Sequence, residues 1–107
     1  MNRGGSPAIH ETAVTVAADH PAFAGHFPGQ PILPGVVLLG WAARALGEAL
    51  AQTVPPCEII AAKFLQPVAP GAALRIRHTP QSNGSWRFDI FAGDDTVATG
   101  TLRIPQP

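Results

Sequence analysis

The sequence of 107 residues is short of charge, nearly without cysteine, and has no apolar run long enough to span a membrane. Seven basic residues balance seven acidic ones, and together they make up only 13% of the chain. With no net field, nothing holds nucleic acid or an anionic membrane surface, so neither is an expected partner. A single cysteine, Cys57, excludes an internal disulfide and suits a reducing cytoplasm. The opening MNRGGSPA lacks the apolar core of a signal peptide, which points to the same cytoplasmic location. The four histidines have no metal-like spacing and no cysteine pair, so no metal and no cofactor is expected.

What the chain does have is apolar bulk. At 46% hydrophobic it can bury one core, which implies a single domain over 1–107 with flexible ends at 1–7 and 105–107. AIHETAVTVA (8–17) predicts a strand with Thr12, Val14 and Val16 on one side. Residues 19–34 hold four prolines and form an irregular loop, in which Pro28-Gly29 suits the centre of a type II turn. A helix is expected from Gly35 to Ala51, with Arg44, Glu48 and Gln52 as one narrow polar stripe. A helix apolar around most of its circumference is a buried helix. No second helix is available to bundle with it, so a curved sheet must do the burying.

That sheet is legible in the second half, as EIIAAKFLQ (58–66), ALRIRHT (73–79), SWRFDIFA (85–92) and TVATGTLRI (96–104). Leu74, Ile76 and His78 alternate with Arg75, Arg77 and Thr79, while Trp86, Phe88 and Ile90 alternate with Arg87, Asp89 and Phe91. Matching the two apolar faces requires a loop of odd length. A three-residue turn at Asn83-Gly84-Ser85 would pair Ile76, His78 and Ser82 with Ala92, Ile90 and Trp86. The next turn is expected at Gly93-Asp94-Asp95. The whole reads as strand, long loop, buried helix, then four strands in an antiparallel meander, an α+β domain.

Two stretches carry a resemblance to a known family. FAGHFPGQPILPGVVLL (23–39) is similar to the His-Phe-x-Gly, spacer and Pro-Gly signature of the hot-dog-fold 3-hydroxyacyl-ACP dehydratases of fatty acid synthesis. AKFLQPVAPGAAL (62–74) is similar to their Lys-Phe-x-x-Pro-Val-x-Pro-Gly strand and turn. The resemblance implies a hot-dog fold of about five antiparallel strands around one central helix. It also implies an acyl-ACP or acyl-CoA thioester as partner, with the site at the interface of a homodimer or higher oligomer. By the same resemblance, Phe27, Pro28, Gly29, Leu33, Pro34 and Gly40 would line the substrate site.

The chemistry implied is reversible β-elimination of water from a 3-hydroxyacyl thioester, which needs three groups. A base must take the proton beside the thioester carbonyl, and neutral His26 fits that role near neutral pH. A donor must polarise the carbonyl. The unpaired amides of Gly35 and Val36 at the helix N-terminus fit there, since Gly35 has no side chain in the way. An acid must protonate the departing hydroxyl, and in the family it is a helix Glu or Asp fourteen residues after the histidine. Counting from His26, that position is Gly40.

Neither Leu39 nor Trp41 can replace it, and Glu48 lies about two turns further along, better read as the partner of Arg44. Asp19 and His20 could approach the histidine loop, but nothing in the sequence requires it. Three readings follow from the missing carboxylate. They are a weakened dehydratase, a non-catalytic acyl-thioester or carrier binder, and a hot-dog thioesterase, which the same absence disfavours. Gly40 and Gly47 share a stripe, for which close backbone packing is the ordinary cause. His10 and His20 are expected to be exposed and His78 to face inward. Arg75, Arg77, Arg87 and Lys63 read as solvated strand faces before they read as a basic patch for an acidic carrier.

Overall fold

The computed structural model of the protein describes residues 9–20, 33–50 and 58–103. It contains β1 (His10–Thr15), α1 (Gly35–Ala49), β2 (Glu58–Phe64), β3 (Ala73–Pro80), β4 (Trp86–Ala92) and β5 (Asp95–Arg103). The five strands form one antiparallel sheet in the order β1-β3-β4-β5-β2. The α+β architecture is the expected one, and among the described residues no helix is long and apolar enough to cross a membrane.

The meander needs correcting. It holds for β3, β4 and β5, whereas β2 pairs with β5 at the far edge and not with β3. The segment between β2 and β3 is too rich in proline to be a hairpin. The amides of Leu65 and Gln66 both converge on the Val97 carbonyl, at 2.9 and 3.3 Å, and close β2 ahead of Pro67. Val68 is buried, and its carbonyl accepts the Leu33 amide at 2.9 Å. By Gly71 the chain has crossed to the other side, where Gly71 N donates to Val16 O and Val16 N donates to Ala72 O.

The β3–β4 loop has the expected odd length but sits one residue earlier. Pairs are Leu74 with Ala92, Ile76 with Ile90, His78 with Phe88 and Pro80 with Trp86. The Gln81 amide donates to Ser85 O at 2.9 Å, which leaves Ser82-Asn83-Gly84 as the loop. Gly84 takes the positive φ, at 86°, that closes such a turn, and Asn83 Oδ1 accepts from both the amide and the hydroxyl of Ser85. The next turn is shorter than expected, since Asp95 already pairs with Ala92 and leaves only Gly93-Asp94.

Both face assignments survive, because the register moved by an even step. Leu74, Ile76, Phe88, Ile90, Ala98 and Leu102 pack with Leu38, Ala42 and Leu46 of α1 into one core. The helix itself is covered on one side only. Leu38, Ala42, Ala45, Leu46 and Gly47 are buried, while Val36, Gly40, Arg44 and Glu48, four residues apart, are exposed. The exposed residues form one narrow stripe, as expected for Arg44 and Glu48, and it extends back through Gly40 to Val36, while Gln52 lies outside the described residues.

His78 lies inside that core, fully buried, with Nε2 2.8 Å from the Ala42 carbonyl. A carbonyl can only accept, so Nε2 carries the hydrogen and Nδ1 is left as an acceptor. Nδ1 has no partner. His10 and His20 are half-buried and not exposed, each against a tryptophan ring: His10 on Trp86 at 5.9 Å and His20 edge-on to Trp41 at 5.8 Å. Burial holds the His78 imidazole below the usual histidine value. The bond to Ala42 opposes this, and neighbouring His10 adds to it.

His78 is therefore neutral in the fold but protonates in the unfolded chain below about pH 6.5. Its contribution should be constant above that pH and lost progressively as pH falls below it. Urea denaturation of the parent and of His78→Gln, which keeps a donor for Ala42 but cannot titrate there, checks this. The parent should lose more stability than the variant between neutral and mildly acidic pH.

Candidate functional site

The residues that could act on a thioester gather at the N-terminus of α1. Pro34 caps the helix with extended backbone angles and no side-chain cap, and no acidic residue occupies the first turn. The Val37 amide donates to Pro34 O at 3.0 Å, whereas the amides of Gly35 and Val36 form no bond to the described residues outside the helix. Unpaired amides at the positive end of a helix dipole favour an oxygen that gains negative charge. Val36 is 74% exposed, so the approach to this end is open.

Gly35 has a reason for being glycine that the sequence did not show. Its backbone is ordinary helix, but a Cβ there would stand 2.7 Å from Cζ and 2.8 Å from Cε1 of Phe64. The space left by the missing side chain is thus taken up by the ring of Phe64, the last residue of edge strand β2. That ring is 49% exposed, lying between the helix terminus and solvent. Phe64 is the residue that sequence reasoning missed, although it sits inside a quoted motif. The signal was the Lys-Phe pair preceding Pro67, read there only as strand.

Of the expected site residues, His26, Phe27, Pro28 and Gly29 lie outside the described residues. Pro34, Gly35 and Val36 come together at the helix terminus. Leu33 directs its bulk into the core and is buried there. Gly40 is exposed, and among the described residues a Cβ built on it would meet nothing within 4 Å. The expectation of close backbone packing at Gly40 is therefore wrong; it stands on the uncovered stripe of α1, while Gly47 is buried. Glu48 is paired with Arg44 at 3.6 Å, both well exposed, as expected.

On the outer face of the sheet, Glu11 serves both Arg75 at 3.6 Å and Arg77 at 3.2 Å, and Asp89 serves Arg87 at 3.2 Å. The guanidinium groups of Arg75 and Arg77 also lie over the Phe91 ring, at 4.9 and 5.0 Å. These arginines are a solvated, internally compensated face, in line with the ordinary reading of them.

Comparison with known proteins bears directly on this site. The profile of the ApeI-like family, described as ApeI dehydratase, matches residues 5–101. The chain belongs to the ApeI-like family. The 3-hydroxyacyl-acyl-carrier-protein dehydratase FabZ of Acidiphilium cryptum is 34% identical over 94 residues, 78% of this chain and 57% of that protein. The chain thus spans a little over half the length of that relative. Among solved structures, the dehydratase heterocomplex ApeI:P from Xenorhabdus doucetiae aligns with a TM-score of 0.70 at 27% identity, covering 95% of this chain and 93% of that one. The fluoroacetyl-CoA thioesterase FlK aligns with a TM-score of 0.72 at 18% identity, over 94% of this chain and 86% of its own, which shows the shared fold alone. The ApeI-like chain has the hot-dog fold, and the fold by itself does not separate dehydratases from thioesterases.

Gly40 is in open space on a helix, where glycine is a poor residue. Gly40→Ala should raise stability by about 0.5–1 kcal/mol. Chemical denaturation checks it; a glycine needed for close packing would give the opposite sign.

Proposed function

We propose that the protein is a cytoplasmic dehydratase-type protein acting on 3-hydroxyacyl thioesters of ACP or CoA, and that its own helix cannot supply the acid. The observation that carries this reading is the open N-terminus of α1, in a chain whose ApeI-like family match runs through 5–101. His26 is the base, taking the proton from the carbon beside the carbonyl. The Gly35 and Val36 amides stabilise the enolate oxygen that forms as that proton leaves. The hydroxyl on the next carbon then departs with a proton from an acid that Gly40 does not provide. Phe27, Pro28, Gly29 and Pro34 frame the thioester, whereas Leu33 belongs to the core.

Edge strand β2 supports a paired assembly. Every residue of β2 is exposed, and Ile59, Ile60, Phe64 and Leu65 offer apolar surface along an unpaired edge. The protein pairs through this edge, as a homodimer at least. A second identical copy brings another Gly40 at the same helix position, so in a homodimer the acid is a bound water or another residue of the partner. A different chain bearing a helix carboxylate is the other source, and the solved Xenorhabdus neighbour is itself a heterocomplex.

A second reading, an acyl-thioester binder without turnover, is favoured by the empty surroundings of Gly40. Hydration and dehydration of short enoyl- and 3-hydroxyacyl-thioesters by the parent, His26→Ala and Gly40→Glu separate the two. His26→Ala should abolish turnover, and Gly40→Glu should raise it, by up to about 10²–10⁴-fold if it restores a general acid. Absence of turnover by both the parent and Gly40→Glu, with thioester binding retained, would establish the binder.

A further inference from the structure

We infer that Phe64 determines which acyl groups this protein accepts, by walling off the side of the helix terminus where a branch on carbon 2 would have to go. The inference deepens the thioester-binding site proposed above and rests on that reading. It starts from the contact between the Phe64 ring and the space beside Gly35, three ring atoms of which would stand within 3.0 Å of any Cβ there. Contacts that short are not tolerated, so a substituent entering that space meets the end of the Phe64 ring first and has to push it aside.

A thioester oxygen held by the amides of Gly35 and Val36 places its carbonyl carbon next to Gly35. Carbon 2 is bonded to that carbonyl carbon, so it passes beside the end of the Phe64 ring. A flat, unbranched chain can lie against the ring in van der Waals contact. A methyl on carbon 2 either meets the ring or forces the chain off the amides. The preferred substrates are therefore thioesters unbranched at carbon 2.

Local structure explains why the ring stays there. Phe64 pairs with Ala98 on β5, and Ala98 is fully buried, so the backbone beneath the ring is fixed by the sheet. The side chain points to the helix side, in the row of Ile90 and Ile76. Only the end of the ring is free, and it rests on the one residue of α1 that offers no side chain at that place.

The test uses crotonyl- and 2-methylcrotonyl-pantetheine, with dissociation constants measured by calorimetry on the parent, Phe64→Leu and Phe64→Ala. The parent should prefer the unbranched ester by about tenfold or more, the range one methyl group commands in a shaped apolar site. Phe64→Ala should bring the ratio down to about threefold or less, with Phe64→Leu between. Thermal unfolding of each variant shows that the site is still folded. An unchanged ratio in folded Phe64→Ala, equal affinities in the parent, or no binding of either ester would overturn the proposal. Crotonyl hydration by the parent and Gly40→Glu reads the dehydratase assignment separately. A collapsed ratio without turnover keeps the specificity wall and removes the enzyme; turnover with an unchanged ratio does the reverse.

Discussion

One sheet can cover only one side of one helix, and the features of this protein that bear on function lie on the side left over. Leu38, Ala42 and Leu46 face the sheet and form the core with β3, β4 and β5. The opposite stripe, from Val36 through Gly40 to Arg44 and Glu48, is exposed and has no cover among the described residues. An α1 of the same composition inside a bundle would have lost that stripe to packing. Here it remains available, beginning at the end where the unpaired amides are.

The attachment of the helix to the sheet is partly polar. His78, in a row otherwise made of Leu74 and Ile76, reaches across the core to the Ala42 carbonyl. A buried imidazole with one nitrogen unpartnered costs stability that an aliphatic residue would not. In return it defines where along α1 the sheet makes contact, since Ala42 is small enough to let the ring approach. The far end of the same helix face is positioned differently, by Phe64 against Gly35. These two contacts, one from a central strand and one from an edge strand, hold α1 at two points along its length.

In the proposed assembly, edge strand β2 would link the site to the partner. It carries Phe64 at its end and apolar side chains along an unpaired edge, so whatever pairs with β2 also lies beside the helix terminus. Gly40, facing open space on the same helix, is read most economically as a position facing away from the chain's own core. Nothing among the described residues requires a glycine there for packing.

Much of this was readable from the residues alone. Alternation in ALRIRHT and SWRFDIFA determined which side chains face the core, because a strand's period of two admits only even shifts without inverting both faces. The Pro34-Gly35 start of α1 and the Arg44–Glu48 pair followed from local rules that depend on near neighbours. The partner of β2 did not, since a crossover through 65–72 and a hairpin draw on the same turn residues. Nor did the placement of the β3–β4 loop by one residue, where Gly84 and the Asn83 side chain chose between turns of equal length. The reason for glycine at 35 and the lack of one at 40 were both hidden, because each depends on what stands across from the helix in space. Local sequence determined the elements and their faces; tertiary structure alone decided which surfaces they cover and which they leave open.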